Sequence, residues 1–508
     1  MGMSEMTSPP PVDFEKIFQP RSIAVIGVSR ERVKGATGFL HALVRLGYPG
    51  RIYPVNPELD EVLGLRVYPS VSSIPDEVDY AIIGVPAHLV PAVIDECARK
   101  GIAVAQIFSS GFAEVGTKEG DALQEAIVAA ARGRIRIIGP NCMGVYNPAA
   151  RLGFEPEQPL EPGRVGFISQ SGGLAMSFID YASYERIGIS KLVSLGNACD
   201  LKVTDFLRYF SEDPETTVVG MYLEGLREGE YGEFFDLARA MTPRKPLVLW
   251  KSGYTEAGAR ATRSHTASMA GSYTIWRAVA KQAGVIVVHT MDELIDVTSL
   301  LVRLPLPAGD NIGILGFGGG TCVTTTDVCT SLGLSVPALS DEVQQKILAF
   351  IPEAGTFRVN PVDLTAWIVN PRISRDVGLT VGNTPNIDVL LYVLDVEFIS
   401  RTCERLSLEP DRMVNGHAKS LVRVREATGK PVISVLQKVF EGELAAKMRA
   451  QFQETGMPIF PTVERAARAL ARAGEYRSYL RSLTAGNMGA RSTPAAAPLS
   501  ERRIFFAL

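Results

Sequence analysis

The segment "SHTASMAG" (264–271) carries His265, one of five histidines in a chain of 508 residues. An imidazole among small polar residues has no core to fill, and it can serve as a metal ligand, a general base or a nucleophile. A carboxylate makes such a ring more capable, because it holds the proton of one nitrogen and leaves the other free and more basic. The candidate is Glu224, which follows the apolar run "VVGMYL" directly. Metal binding is disfavoured, since no second His or Cys stands nearby at ligand spacing. Ser–His–Asp acyl transfer lacks its G-x-S-x-G turn.

Two glycine-rich turns suggest what the imidazole would handle. "SQSGG" supplies Ser169, Gln170, Ser171, Gly172 and Gly173, and "GFGGG" supplies Gly318, Gly319 and Gly320. Each precedes a helical pattern, so glycine would let an anion approach the unpaired N–H groups of a helix start. One such terminus contributes only about 0.3–1 kcal/mol when exposed and up to ~2 when partly buried, so a firm phosphate cradle needs two. A nucleophilic imidazole between two anion-binding helix ends points to phosphoryl transfer through phosphohistidine, with a general-base role open beside it. A third turn, "GVSRERVKG" (27–35), lacks G-x-G-x-x-G. Asn56 stands where a dinucleotide site wants Asp or Glu, which argues against NAD and leaves a phosphate-bearing, nucleotide-like ligand open.

Each turn ends an apolar run and opens a helix, and each is followed by further strands alternating with helices. That is the α/β pattern of doubly wound parallel sheets. The spacing predicts three domains: strands at 22–27, 51–57, 80–86, 104–111 and 135–141; then 165–169, 191–197, 218–225, 246–253 and 285–290; then 312–316, 388–396, 431–437 and 458–462. Pro/Gly-punctuated linkers are expected at 147–163 and 304–310. The stretch 250–271 reads as a long loop, and a low-complexity, disordered tail is expected from 483. If the strands before Glu224 and before this loop are neighbours, Glu224 and His265 share one rim of a sheet.

Composition sets outer limits. The chain is 46% hydrophobic and 21% charged with net charge -3, and it has no basic block for nucleic acid or membrane surfaces. It shows neither a signal-peptide pattern nor 18 consecutive apolar residues, so a cytoplasmic protein is expected. The six cysteines show no CxxC spacing and read as reduced and structural.

Taken together, "FEKIFQPRSIAVIGVS", "IYPVNP", "DYAIIGVPA", "SSGFAE", "GPNCMG", "SQSGGLA", "SLGN" with Asp200, "YLEG", "SHTASMAG" and "NPVDLT" resemble the NDP-forming acyl-CoA synthetases, the superfamily of succinyl-CoA synthetase and ADP-forming acetate–CoA ligases. The likeness spans about residues 14 to 475. It implies a Rossmann-like CoA-binding domain (1–150) and two flavodoxin-like domains (160–304 and 308–475). His265 would be the phosphohistidine, Glu224 its orienting carboxylate, and the two turns the phosphate-holding helix starts. CoA would lie near Gly27, Ser29, Lys34, Asn56, Pro86, Ser110, Gly111 and Asn141. The implied activity joins a small carboxylic acid to CoA with ATP, giving ADP and phosphate by way of an acyl phosphate. ATP or ADP with magnesium would sit mainly on a partner, because no ATP-grasp domain is evident and a separate ATP-grasp β subunit is expected, in a hetero-oligomer.

Two departures stand out. Ala267 replaces the usual glycine after His-Thr, and "GNACD" lacks the common lysine, which puts an acyl-group contact in that turn in doubt. The alternatives are a CoA-binding regulatory or scaffold protein and a phosphate-dependent acyl or carbamoyl transferase.

Overall fold

Long apolar runs in this chain form strands buried on both faces, and they assemble into three parallel sheets with helices on either side. The computed structural model describes residues 11–31, 35–227, 229–265, 273–351, 357–437 and 443–490, with the backbone alone at 262–265, 410–411, 444 and 486–490.

The first sheet holds β1 (Ser22–Ile26), β2 (Arg51–Val55), β5 (Tyr80–Ile83), β6 (Val104–Ile107) and β7 (Arg136–Ile138) in the order β2-β1-β5-β6-β7. A small hairpin, β3 (Glu61–Val62) and β4 (Leu65–Arg66), stands apart. The second holds β8 (Gly144–Tyr146), β9 (Pro162–Ser169), β10 (Ile189–Ser194), β11 (Val218–Leu223), β12 (Leu247–Lys251) and β13 (Ile286–Val288) in the order β13-β12-β11-β9-β10-β8. The third holds β14 (Ile312–Gly316), β15 (Val362–Asp363), β16 (Val389–Asp395), β17 (Val432–Gln437) and β18 (Ile459–Phe460) in the order β15-β14-β16-β17-β18. Apart from the antiparallel edge strand β8, all three follow the same doubly wound order, 2-1-3-4-5 counted within each sheet. Ligands of such sheets bind where the order reverses, at the carboxyl ends of the strands.

The structure differs from the sequence reading in several places. The chain enters the second sheet before the expected linker: β8 pairs with β10 through Leu192↔Tyr146, and three residues carry too little pattern to be read as a strand. The expected loop after β12 contains a helix, Glu256–His265. Alanines favour it, Thr255 Oγ1 accepts the Gly258 N–H at 3.0 Å, and Glu256 pairs with Arg260 at 2.9 Å. Residues 266–272 lie outside the described part.

The last helix, Val463–Ala490, also runs past 483, while 491–508 lie outside the described residues. That helix braces two domains. Arg465 meets Asp296 at 2.7 Å and Arg472 meets Glu293 at 2.8 Å on the second domain, and Arg477 donates to the Gly309 carbonyl at 2.9 Å before the third. At the other end, Phe14 and Phe18 stack on Tyr209, so the first and second domains share one core. Among the described residues no helix is long and apolar enough to cross a membrane.

Candidate active site

Strands β11 and β12 are parallel neighbours, with Leu223 opposite Lys251. Glu224 therefore emerges beside the start of the segment that ends in His265, as the shared-rim argument requires. The His265 side chain is outside the described part. Glu224 is 6% exposed, and the Tyr222 hydroxyl donates to its Oε1 at 3.4 Å. Burial pushes the Tyr222 phenol up to about 12, so it stays a proton donor to this carboxylate.

Gln170 fixes the turn behind Glu224. Its Oε1 accepts the N–H groups of Glu224 (2.6 Å) and Gly225 (3.1 Å), and its Nε2 donates to the Gly225 carbonyl at 2.8 Å. The Ser169 hydroxyl is likewise committed, accepting from Ser171 N–H at 3.1 Å and donating to the Ser171 carbonyl at 2.7 Å. Both side chains are internal braces of the turn. Ser171 caps the helix Gly172–Tyr184 by accepting the Leu174 N–H at 3.3 Å.

The second turn is built differently. Gly318, at φ +83, precedes the helix Gly319–Ser331 and supplies no side-chain cap. Its N–H donates at 2.9 Å to Asp363, which also accepts the Thr365 N–H at 2.7 Å. Both turns thus present helix starts at strand carboxyl ends, each held within its own sheet.

In the first sheet, Gly27, Asn56, Pro86, Ser110, Gly111 and Asn141 follow the carboxyl ends of β1, β2, β5, β6 and β7, so the fold gathers them on one rim. Gly27 (φ +92) admits no side chain: a Cβ would lie 2.8 Å from the Gly84 carbonyl oxygen. Asn56 donates to the Val28 carbonyl at 2.7 Å, bracing the turn, while the Ser29 N–H donates to Thr37 at 2.7 Å. Lys34 lies outside the described residues. This rim meets the second domain. The Asn197 amide donates to Glu114 at 2.5 Å and to Gln124 at 2.9 Å, and at the amino end of β7 Arg136 grips Asp200 at 2.9 Å.

Comparison with known proteins gives this arrangement a family. Residues 21–148 match the CoA binding domain, and residues 162–301 the succinyl-CoA ligase like flavodoxin domain. The chain is 36% identical over 472 residues, 91% of its own length and 97% of the relative's, to the α subunit of acetate–CoA ligase [ADP-forming] I of Pyrococcus furiosus. It belongs to the ADP-forming acyl-CoA ligases. Against the acetate–CoA ligase [ADP-forming] I of Archaeoglobus fulgidus it is 37% identical, but it spans 54% of that longer chain. The chain thus matches the α-subunit form of the family. It also matches the solved dinucleotide forming acetyl-coenzyme A synthetase 1 of Ca. Korarchaeum cryptofilum, in complex with phosphate and ADP. That likeness has a TM-score of 0.81 and 34% identity, covering 93% of this chain and 99% of that one.

Two residues that hold this candidate site's turns were not legible in the sequence. Lys251 is buried at the end of β12, and its ammonium donates to the carbonyls of Glu224 (2.6 Å) and Ser252 (2.7 Å). Burial pulls it down to about 8. Its only signal is a cation closing the apolar run "PLVLW". Asp363, 2% exposed, has its signal in the "NPVDLT" motif, but its partner follows from the pairing of Gly316 with Asp363. The cysteines are free, and burial pushes Cys142, Cys199, Cys322 and Cys329 up to about 12, which keeps them thiols. Among the described residues no group of His, Cys, Asp and Glu could hold a metal ion.

Proposed function

We propose that His265 is the phosphoryl carrier of this ligase and Glu224 the carboxylate that orients it. The observation that carries this reading is the adjacency of β11 and β12, which brings Glu224 beside the segment ending in His265. The partner is a separate ATP-grasp subunit, which holds most of ATP or ADP and its magnesium. The γ-phosphoryl group passes to a His265 ring nitrogen as ADP departs. The helix starts at Gly172 and Gly319 hold the phosphoryl oxygens with N–H groups that have no acceptor inside their own helices.

A carboxylate oxygen of the acid then attacks phosphorus, giving an acyl phosphate and a free imidazole. CoA lies along the rim formed by Gly27, Ser29, Lys34, Asn56, Pro86, Ser110, Gly111 and Asn141. Its thiolate attacks the acyl carbon, the carbon–oxygen bond breaks, and phosphate leaves. No cysteine of the chain takes part.

His265→Ala, co-purified with the partner, is expected to lose ligation altogether and to take up no label from γ-labelled ATP. Ligation by that variant would overturn the carrier. Phosphate-dependent cleavage of an acyl-CoA by the isolated chain would instead identify a transferase.

A further inference from the structure

The segment carrying His265 is flanked by Tyr254, three residues past β12, and Tyr273, the first residue of the helix Tyr273–Gln282, and both tyrosines close on one side chain. His289 follows edge strand β13, which pairs with β12 through Trp250↔Val288. It therefore stands on the same rim as Glu224, two strands away, roughly 10 Å at ordinary strand spacing. The Tyr273 hydroxyl lies 2.7 Å from His289 Nε2, and the Tyr254 ring meets the imidazole edge-on at 5.0 Å. The two tyrosine rings lie 5.7 Å apart.

His289 is itself anchored. Its backbone N–H donates to Glu293 Oε2 at 2.9 Å, and its Nδ1 lies 3.7 Å from the same oxygen. Glu293 is 5% exposed and accepts from Arg472 of the last helix at 2.8 Å. These contacts hold Glu293 as a carboxylate, down at about 2. A negative charge beside Nδ1 favours the tautomer with its proton there, leaving Nε2 to accept from Tyr273. The arrangement exceeds what packing asks of a partly exposed histidine, because it ties residues on both sides of one segment to a buried carboxylate.

We infer that His289 is a positioning residue for phosphoryl transfer, clamping Tyr254 and Tyr273, the two residues that flank the segment carrying His265. The inference rests on His265 as the carrier. Its effect is on the rate at which His265 meets its phosphoryl donor, while the sites themselves stay intact.

The test follows label from γ-labelled ATP onto the chain in the complex with its partner, read as a time course. Tyr273→Phe removes the hydrogen bond and keeps the ring, and His289→Ala removes both contacts. A lost hydrogen bond corresponds to about a three- to tenfold slower approach, with the final extent of labelling unchanged. The double variant should be no slower than His289→Ala, because the two residues share one bond. His289→Gln, which restores an acceptor near Nε2, should recover much of the rate.

A Tyr273→Phe protein that labels at the native rate would overturn the inference, as would effects that multiply in the double variant. Label on His265→Ala would instead remove the carrier beneath it, and the two failures are distinct. Melting temperatures within a few degrees of native would confirm that the variants fold.

Discussion

The turns at 169–173 and 316–320 occupy equivalent places in two sheets whose parallel strands share one order, yet they are secured in different ways. In the second domain a side chain does the work: Ser171 caps the helix, and Gln170 ties the turn to Glu224. In the third domain the anchor is a side chain from the neighbouring strand: Gly318, at φ +83, donates its N–H to Asp363 of β15. Their glycines nevertheless divide alike. A Cβ on Gly172 would lie 2.9 Å from Met143 Cγ, and one on Gly319 would lie 2.7 Å from Phe357 Cε2, so packing explains the first glycine of each helix. Around Gly173 and Gly320 a Cβ would meet nothing within 4 Å, so packing explains neither second glycine. What the two turns share beyond packing is open space at a helix start.

The largest expected effect comes from removing the side chain that anchors the third-domain turn. Asp363→Ala leaves the half-buried N–H groups of Gly318 and Thr365 without their acceptor, on the order of 1–3 kcal/mol for the two together. A turn displaced by about 1 Å would lower ligation roughly a hundredfold. Asp363→Asn keeps an acceptor oxygen and should retain much of both. Urea unfolding and steady-state ligation of the complex measure the two effects. A stable, fully active Asp363→Ala protein would mean that the third-domain turn needs no such anchor.

The residues that could be read from the sequence are those whose environment is local. Apolar runs such as "NIGILG" and "RVGFIS" announce buried parallel strands, and Glu224 and the glycine turns follow them directly. Partners set by register were not legible. Asp363 gains its role from pairing with Gly316, Lys251 from lying beside Leu223, and His289 from its place one strand beyond Trp250. Strands of two or three residues, β8 and β15, fall below any periodic signal. The helix Glu256–His265 was hidden by Gly258 and the hydroxyl residues around it, although its alanines and the Glu256–Arg260 pair favour it. The last helix is rich in alanine and arginine, but nothing local says that its arginines reach Asp296 and Glu293.

The two open glycines sharpen the comparison at intermediate magnitude. Gly173→Ala and Gly320→Ala each add a methyl group at a helical position with room for it, so stability should hold or rise by about 0.4–1 kcal/mol. If phosphoryl oxygens approach these helix starts, the same methyl groups stand in the way, and turnover should fall roughly tenfold or more. Gain in melting temperature together with loss of ligation separates an anion cradle from a packing turn. Unchanged turnover in one variant alone would assign the phosphoryl group to the other turn, and unchanged turnover in both would remove the cradle.

The smallest effect belongs to the side-chain cap. Ser171→Ala removes the acceptor of the Leu174 N–H, which costs about 1 kcal/mol, roughly a fivefold change in the folding equilibrium. Gln170 still holds the turn against Glu224 and Gly225, so the helix start should stay in register and ligation should change by less than about threefold. The measurement is urea unfolding beside turnover of the complex. A tenfold loss of turnover with that small loss of stability would move Ser171 from capping the helix to touching the phosphoryl group itself. The two turns would then differ in chemistry as well as in construction.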